Sequence, residues 1–255
     1  MDYRLTGLAL ATVFLAGCAG NSVNKDDQQA HSDPLQGFNR SMFSFNYDVL
    51  DPYVLRPVAV GWRDYVPKPA RNGLTNFFDN WSEPASMVNY LFEGKPREAA
   101  IRFNRFFLNT LLGMGGLIDV ASMANPQLAK EQPRRFGSTL AHYDVGYGTY
   151  VMLPAYGNFT PREDLGGAVD MAYSPMTYVT PWFSVGKWVL EGIETRAQLL
   201  DSDGLLKNSS DPYEFVRAAY YQHHDFLASE GKLIPQENPN AALIQGDLQS
   251  IDSAN

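Results

Sequence analysis

The sequence predicts an all-α body. Three observations point there. Apolar residues recur at three- and four-residue steps in segment after segment, prolines stand where helices open, and only one run alternates with period two. An outer-membrane barrel needs many alternating segments of about ten residues, which this chain lacks.

Residues 1–17 read as a lipoprotein signal peptide. Arg4 supplies a positive start, and Leu5 to Leu15 is apolar apart from Thr6, Gly7 and Thr12. Leu15-Ala-Gly-Cys18 then ends the run at the only cysteine in the chain. The run is too short to span a bilayer. Cleavage before Cys18 leaves a thiol to carry diacylglycerol and an amine to carry a further acyl chain. Two or three such chains anchor stably, at about 0.8 kcal/mol per buried methylene. Ala19, where an aspartate would favour inner-membrane retention, points to the outer membrane. Residues 18–32 comprise this lipidated cysteine and a polar, flexible tether.

The helical body is expected over residues 33–230. Asp33-Pro34 opens the first helix with a capping acid and a first-turn proline, and Asp51-Pro52 closes it. Leu35, Phe38, Met42, Phe45 and Val49 share one of its faces. Further helices are expected over 67–81, with Leu74, Phe77, Phe78 and Trp81 in its stripe, and over 84–92, stopped by Gly94. The next, from Pro96 to Leu112, is apolar beyond one narrow stripe.

Gly113-Met114-Gly115-Gly116-Leu117-Ile118 is apolar and glycine-rich, unlike a helix interior or a polar loop. It ends 13 consecutive uncharged residues that begin at Phe106, too few for a membrane span. A second uncharged stretch, 172–186, carries Trp182 and Phe183 and is interrupted by Ser174-Pro175, Thr180-Pro181 and Gly186. Both stretches suit a shallow dip into a membrane. Tyr143 to Leu153 alternates with period two, but Gly146 and Gly148 weaken it to a loop or isolated extended segment. Ser184–Leu200 is expected as a helix with Val185, Trp188, Val189, Ile193 and Leu200 inward. Lys187, Glu191, Glu194 and Gln198 then form a solvated polar face. Asp201-Ser-Asp-Gly204 reads as a helix stop capped by Gly204, and Pro212 opens the last long helix. Residues 231–255 form a polar, acidic tail.

A net charge of −8 without a Lys/Arg cluster argues against nucleic acid as a partner. One cysteine excludes a disulfide framework within the chain. The 15 Phe, 14 Tyr and 4 Trp suit a lipid–water boundary. His223 and His224 are adjacent, so on a helix they point about 100° apart and do not converge on a metal. No Gly-x-Ser-x-Gly elbow or phosphate-binding glycine loop is present, so catalytic residues, a metal and a cofactor are not expected. The residues alone describe a membrane-anchored protein that handles lipid or docks on a membrane protein.

Longer motifs sharpen this. Asp33-Pro-Leu-Gln-Gly-Phe-Asn-Arg40, Leu55-Arg-Pro-Val58, Arg102-Phe-Asn-Arg-Phe-Phe-Leu-Asn-Thr110 and Gly113-Met-Gly-Gly-Leu-Ile-Asp-Val120 occur in order. Arg135-Phe-Gly-Ser-Thr-Leu140, Tyr143-Asp-Val-Gly-Tyr-Gly148, Val185-Gly-Lys-Trp188 and Glu194-Thr-Arg-Ala-Gln-Leu-Leu-Asp201 follow. Together they resemble the MlaA (VacJ) family of phospholipid-transport lipoproteins over roughly Asp33 to Asn240. The resemblance implies a single ring-shaped helical domain in the inner leaflet of the outer membrane, with a central amphipathic channel. It implies phospholipid, a trimeric porin and a soluble periplasmic lipid carrier as partners, and retrograde phospholipid transport that preserves lipid asymmetry. No reaction is implied. Residues 113–118 and the segment to about Arg135 would form a hairpin that borders the channel, Lys187 a channel-lining cation that meets a phosphate head group. Trp182, Phe183 and Trp188 would lie at head-group level. A non-transporting scaffold docked on a porin is the alternative.

Overall fold

The computed structural model describes residues 33–180 and 182–231. The signal peptide, Cys18, the tether and the tail beyond Gly231 lie outside the described residues. The body is all-α with one small exception, a two-stranded sheet.

The first helical run does not stop at Pro52. Helix α1 (Gln36–Ser44) continues into a π-helical stretch, Phe45–Leu55, and then into α2 (Arg56–Tyr65). Proline offers no N–H and its ring collides with the carbonyl four residues back. The wider i→i+5 winding accommodates both defects without ending the helix. At the other end, α1 begins two residues later than the Asp33-Pro34 signal suggests. Asp33 acts through its side chain instead, accepting from Asn39 Nδ2 at 2.8 Å.

Helices α3 (Lys68–Asn80), α4 (Glu83–Phe92) and α5 (Pro96–Leu111) follow, with Gly94 turning the chain at φ +70°. The short α6 (Val120–Ala124) is capped by Asp119, whose side chain accepts from Ser122 N. Beyond it lie α7 (Phe136–His142), strands β1 (Val151–Leu153) and β2 (Gly157–Phe159), α8 (Gly166–Tyr173) and α9 (Pro175–Val179). Last come α10 (Trp182–Leu199), α11 (Asp203–Lys207) and α12 (Pro212–Ala228), the last capped by the Asp211 side chain. Gly204 lies inside α11 and is not a helix stop, because the turn Leu200–Ser202 already reorients the chain. Helix α4 packs along α5, and α10 packs along α2.

The expected extended segment is realised only at its end. Val151, Met152 and Leu153 pair antiparallel with Phe159, Asn158 and Gly157. The other edge of β1 is closed by two asparagines from the first helical run. Asn39 donates to Tyr150 O and accepts from Met152 N, while Asn46 donates to Leu153 O and accepts from Ala155 N. Seven residues apart, both side chains project from one helix face and substitute for a third strand. Around them Phe43, Tyr147, Tyr150, Met152, Tyr213 and Tyr221 form the apolar core between α1, β1 and α12.

Elsewhere the usual arrangement is reversed. Buried positions on α4 and α5 include Glu83, Ser86, Asn89, Arg102, Arg105 and Asn109, whereas Phe103, Phe107 and Leu111 of α5 face outward. Arg105 Nε donates to Glu83 Oε1 at 2.7 Å, and Arg102 reaches Glu83 Oε2 and the Glu131 carboxylate. The apolar face of α1 also turns out, with Leu35, Phe38, Phe45 and Val49 exposed. Among the described residues no helix is long and apolar enough to cross a membrane.

Candidate functional site

Helix α10 carries the reversal into the site. Val185, Trp188 and Val189, expected inward, are exposed, whereas Leu200 just past its end is buried and Ile193 is half-buried. Of the polar residues expected on a solvated face, Lys187 and Glu194 turn into the body, Glu191 is half-buried and Gln198 stays exposed. Glu194 Oε2 accepts from Trp62 Nε1 at 2.6 Å, and both its oxygens accept from Arg71. Burial alone would raise its pKa, but hydrogen bonds from Trp62, Gln198 and Arg71 hold the carboxyl below the ordinary glutamate value. A helix turns this way round when what surrounds it is less polar than what it encloses.

Lys187, Glu191, Glu194 and Gln198 recur at four- and three-residue steps, so they form one stripe about 16 Å long. The stripe borders two cavities. One, of about 160 Å³, is lined by Lys187 and Glu191 together with Ser82, Arg135, Asp170 and Phe183. The other, of about 330 Å³, is lined by Glu194 and Gln198 with Asn72, Thr75, Asn76 and Lys130. Lys187 Nζ donates to Ser82 Oγ and lies 3.6 Å from Glu191 Oε1, so the two charges meet at the first cavity. Asp170, half-buried, is the second acid there. Desolvation raises its pKa, while hydrogen bonds from Asn89 Nδ2 and Phe136 N offset part of the rise.

The glycine-rich segment is a tight turn that carries its apolar side chains outward. Gly113 N donates to Asn109 O at 3.0 Å, and Ile118 N returns to Gly113 O at 3.0 Å. A Cβ at Gly113 would sit 2.2 Å from Ile118 O, and at Gly116, with φ +104°, it would sit 2.5 Å from Asn80 Cβ. Met114, Leu117 and Ile118 are exposed, and Gly115 takes a positive φ with open space around it. Neither cavity is lined by residues 113–118. The chain after the turn is fastened to the same polar interior. Arg105 Nη1 donates to Leu128 O at 2.5 Å, Arg102 Nη2 to Gln132 O, and Lys130 pairs with Asp79 of α3 at 2.7 Å.

The three aromatic candidates divide. Trp182 is 75% and Trp188 is 50% exposed, while Phe183 turns in against Phe78, with ring centroids 5.4 Å apart. His223 is exposed and His224 faces Glu163 at 3.2 Å, so the adjacent histidines diverge. Sequence spacing did not reveal Ser82, Arg135 and Asp170 as neighbours of Lys187, nor the Glu83–Arg102–Arg105 cluster. The cluster had a signal: Arg102, Arg105 and Asn109 recur at helical spacing within an otherwise greasy segment.

The model of the MlaA lipoprotein family matches residues 31–227. The chain is 63% identical over 253 residues to the intermembrane phospholipid transport system lipoprotein MlaA of Escherichia coli (strain K12), covering 99% of this chain and 100% of that one. It is 44% identical over 251 residues to the protein of the same name from Haemophilus influenzae, covering 97% and 98%. A solved structure from work on the structural basis for maintenance of bacterial outer membrane lipid asymmetry aligns with a TM-score of 0.75 at 71% identity. That alignment covers 78% of this chain and all of the other.

Proposed function

The chain belongs to the MlaA lipoprotein family, and on that footing we propose that its polar interior is the path of a phospholipid head group. The protein acts in intermembrane phospholipid transport and in the maintenance of outer-membrane lipid asymmetry, and works at the outer membrane. The observation that carries the reading is the orientation of α10. Its polar stripe, headed by Lys187, lines two cavities while Val185 and Val189 face out and Trp188, half-exposed, edges the first cavity. A phospholipid has the same division, and a body that is polar within and apolar without gives each end of it a matching environment.

In this reading Lys187 meets the phosphate. An ammonium on a flexible stem suits a transient anion better than a rigid guanidinium clamp. The turn at 113–118 presents Met114, Leu117 and Ile118 to acyl chains, and Trp182 and Trp188 lie at head-group level. Cys18, carrying its acyl chains, delivers and retains the protein, a trimeric porin sits beside it, and a soluble periplasmic carrier takes the lipid onward. No covalent step is required of the protein.

Deletion of the gene is expected to leave phospholipid in the outer leaflet and to sensitise cells to detergent and EDTA. The wild-type gene restores both, and Lys187→Asp at normal protein level restores neither. An unchanged surface in the deletion strain would sink the transport reading. Full complementation by Lys187→Asp would remove Lys187 from the path and leave the rest standing.

A further inference from the structure

The cavity that Lys187 enters holds both signs of charge. Lys187, Arg134 and Arg135 supply three cations, and Asp170 and Glu191 supply two carboxylates. These five groups are not equally available: Arg134 is buried and paired with Glu93. Asp170 is occupied by the fold, its oxygens accepting from Asn89 Nδ2 at 2.7 Å and from Phe136 N at 3.0 and 3.1 Å. Glu191 is not. Its side chain is 39% exposed, and its charged neighbour Lys187 lies 3.6 Å away, too far for a hydrogen bond. Lys187 gives one of its three N–H groups to Ser82 Oγ and keeps two. Arg135 is exposed, and its guanidinium makes no hydrogen bond or ion pair with another described residue.

Two cations alone would suit any phosphate. A free carboxylate beside them changes the selection, because it repels a second negative group and accepts from a cationic one. The head group of phosphatidylethanolamine has a phosphate and, two methylenes away, an ammonium with three N–H donors. On such a ligand Lys187 and Arg135 engage the phosphate, and Glu191 engages the ammonium. The loose Lys187–Glu191 pair is then replaced by two opposite-charge contacts that make hydrogen bonds. Phosphatidylglycerol gives Glu191 only hydroxyls and places its single net negative charge close to the carboxylate.

We propose that Glu191 makes this cavity selective for glycerophospholipids with a zwitterionic, primary-ammonium head group over anionic ones. The proposal rests on the phospholipid-transport reading and adds the class of lipid to it. The step is an exchange of ion pairs, with no bond made or broken.

The test uses the full-length lipidated protein, purified in detergent and incubated with vesicles of equal parts palmitoyl-oleoyl phosphatidylethanolamine and phosphatidylglycerol. After repurification, mass spectrometry quantifies each bound lipid. The wild type is expected to retain phosphatidylethanolamine over phosphatidylglycerol by about fivefold, roughly 1 kcal/mol. Glu191→Gln should abolish the preference, and Glu191→Lys should invert it, each read as the ratio of the two bound lipids. Equal capture of the two lipids by the wild type, or an unchanged preference in Glu191→Lys, overturns the selectivity and leaves transport intact. A wild type that retains no phospholipid at all overturns both.

Discussion

Single residues show how this interior is held together. The Glu93 carboxylate is fully buried and accepts from Arg134 Nε at 2.7 Å, from Lys95 at 2.8 Å and from Thr139 at 3.0 Å. Burial alone would raise its pKa, but those donors hold the carboxyl below the usual glutamate value. Its ionised form is therefore the one that the fold stabilises. That contribution is fully present above the unfolded-chain pKa of about 4.3 and is lost as pH falls through the lower folded value. Glu93→Gln keeps the shape but leaves Arg134 buried without a counter-charge, so unfolding in detergent at neutral pH should cost about 3–5 kcal/mol less than in the wild type. The variant should also show a flatter decline on acidification below about pH 4. A wild-type melting curve for the variant would mean that the backbone carbonyls of Leu227, Ala228 and Ser138 suffice to hold Arg134. None of this was legible in advance, since nothing in Phe92-Glu93-Gly94-Lys95 distinguishes a buried acid from a surface one.

Among the elements, the helices themselves were legible and their orientation was not. The boundaries of α3, α4, α5 and α12 fall within a residue or two of the periodicity and proline signals. The apolar stripe of α10 faces out because three- and four-residue spacing defines a face without saying which side is solvent. The turn after α5 supplies a sharper comparison. Gly115 has open space at φ +74°, so Gly115→Ala should cost about 1 kcal/mol from backbone strain alone. Gly116→Ala adds a Cβ to a site already filled by Asn80, and a loss of roughly 2–4 kcal/mol is expected. Thermal unfolding of the two variants side by side checks this. Equal losses would mean that the Asn80 side chain moves aside, giving up its 2.9 Å bond to Thr110 Oγ1.

For the whole molecule, the reversed distribution of polarity has a measurable consequence. Phe103, Phe107 and Leu111 lie on one outward face of α5, and Leu112, Met114 and Ile118 extend it around the turn. A large side chain transferred fully from water contributes about 1.5–3 kcal/mol, so several partly exposed ones bind a bilayer without an acyl chain. Protein produced without residues 1–18, which removes both the acylated cysteine and the apolar leader, should therefore float with vesicles. Changing Phe103, Phe107 and Leu111 together to Glu should lower its partition by at least about tenfold while leaving the far-UV helical signal unchanged. Failure of this shortened protein to float would assign membrane attachment to the acyl chains alone.

The helices, their order and the family can all be read from the chain, because each is written in local spacing or in long ordered motifs. Spacing also groups Lys187, Glu191, Glu194 and Gln198 into one polar stripe. Folding alone brings Lys187 and Glu194 inward, sets Ser82, Arg135 and Asp170 around the first cavity, and closes the edge of β1 with Asn39 and Asn46. Periodicity says which residues share a face, whereas the sign of burial depends on what packs against that face. Here charged and amide groups from α4, α5 and α10 find partners inside, so the apolar faces are left for the surroundings.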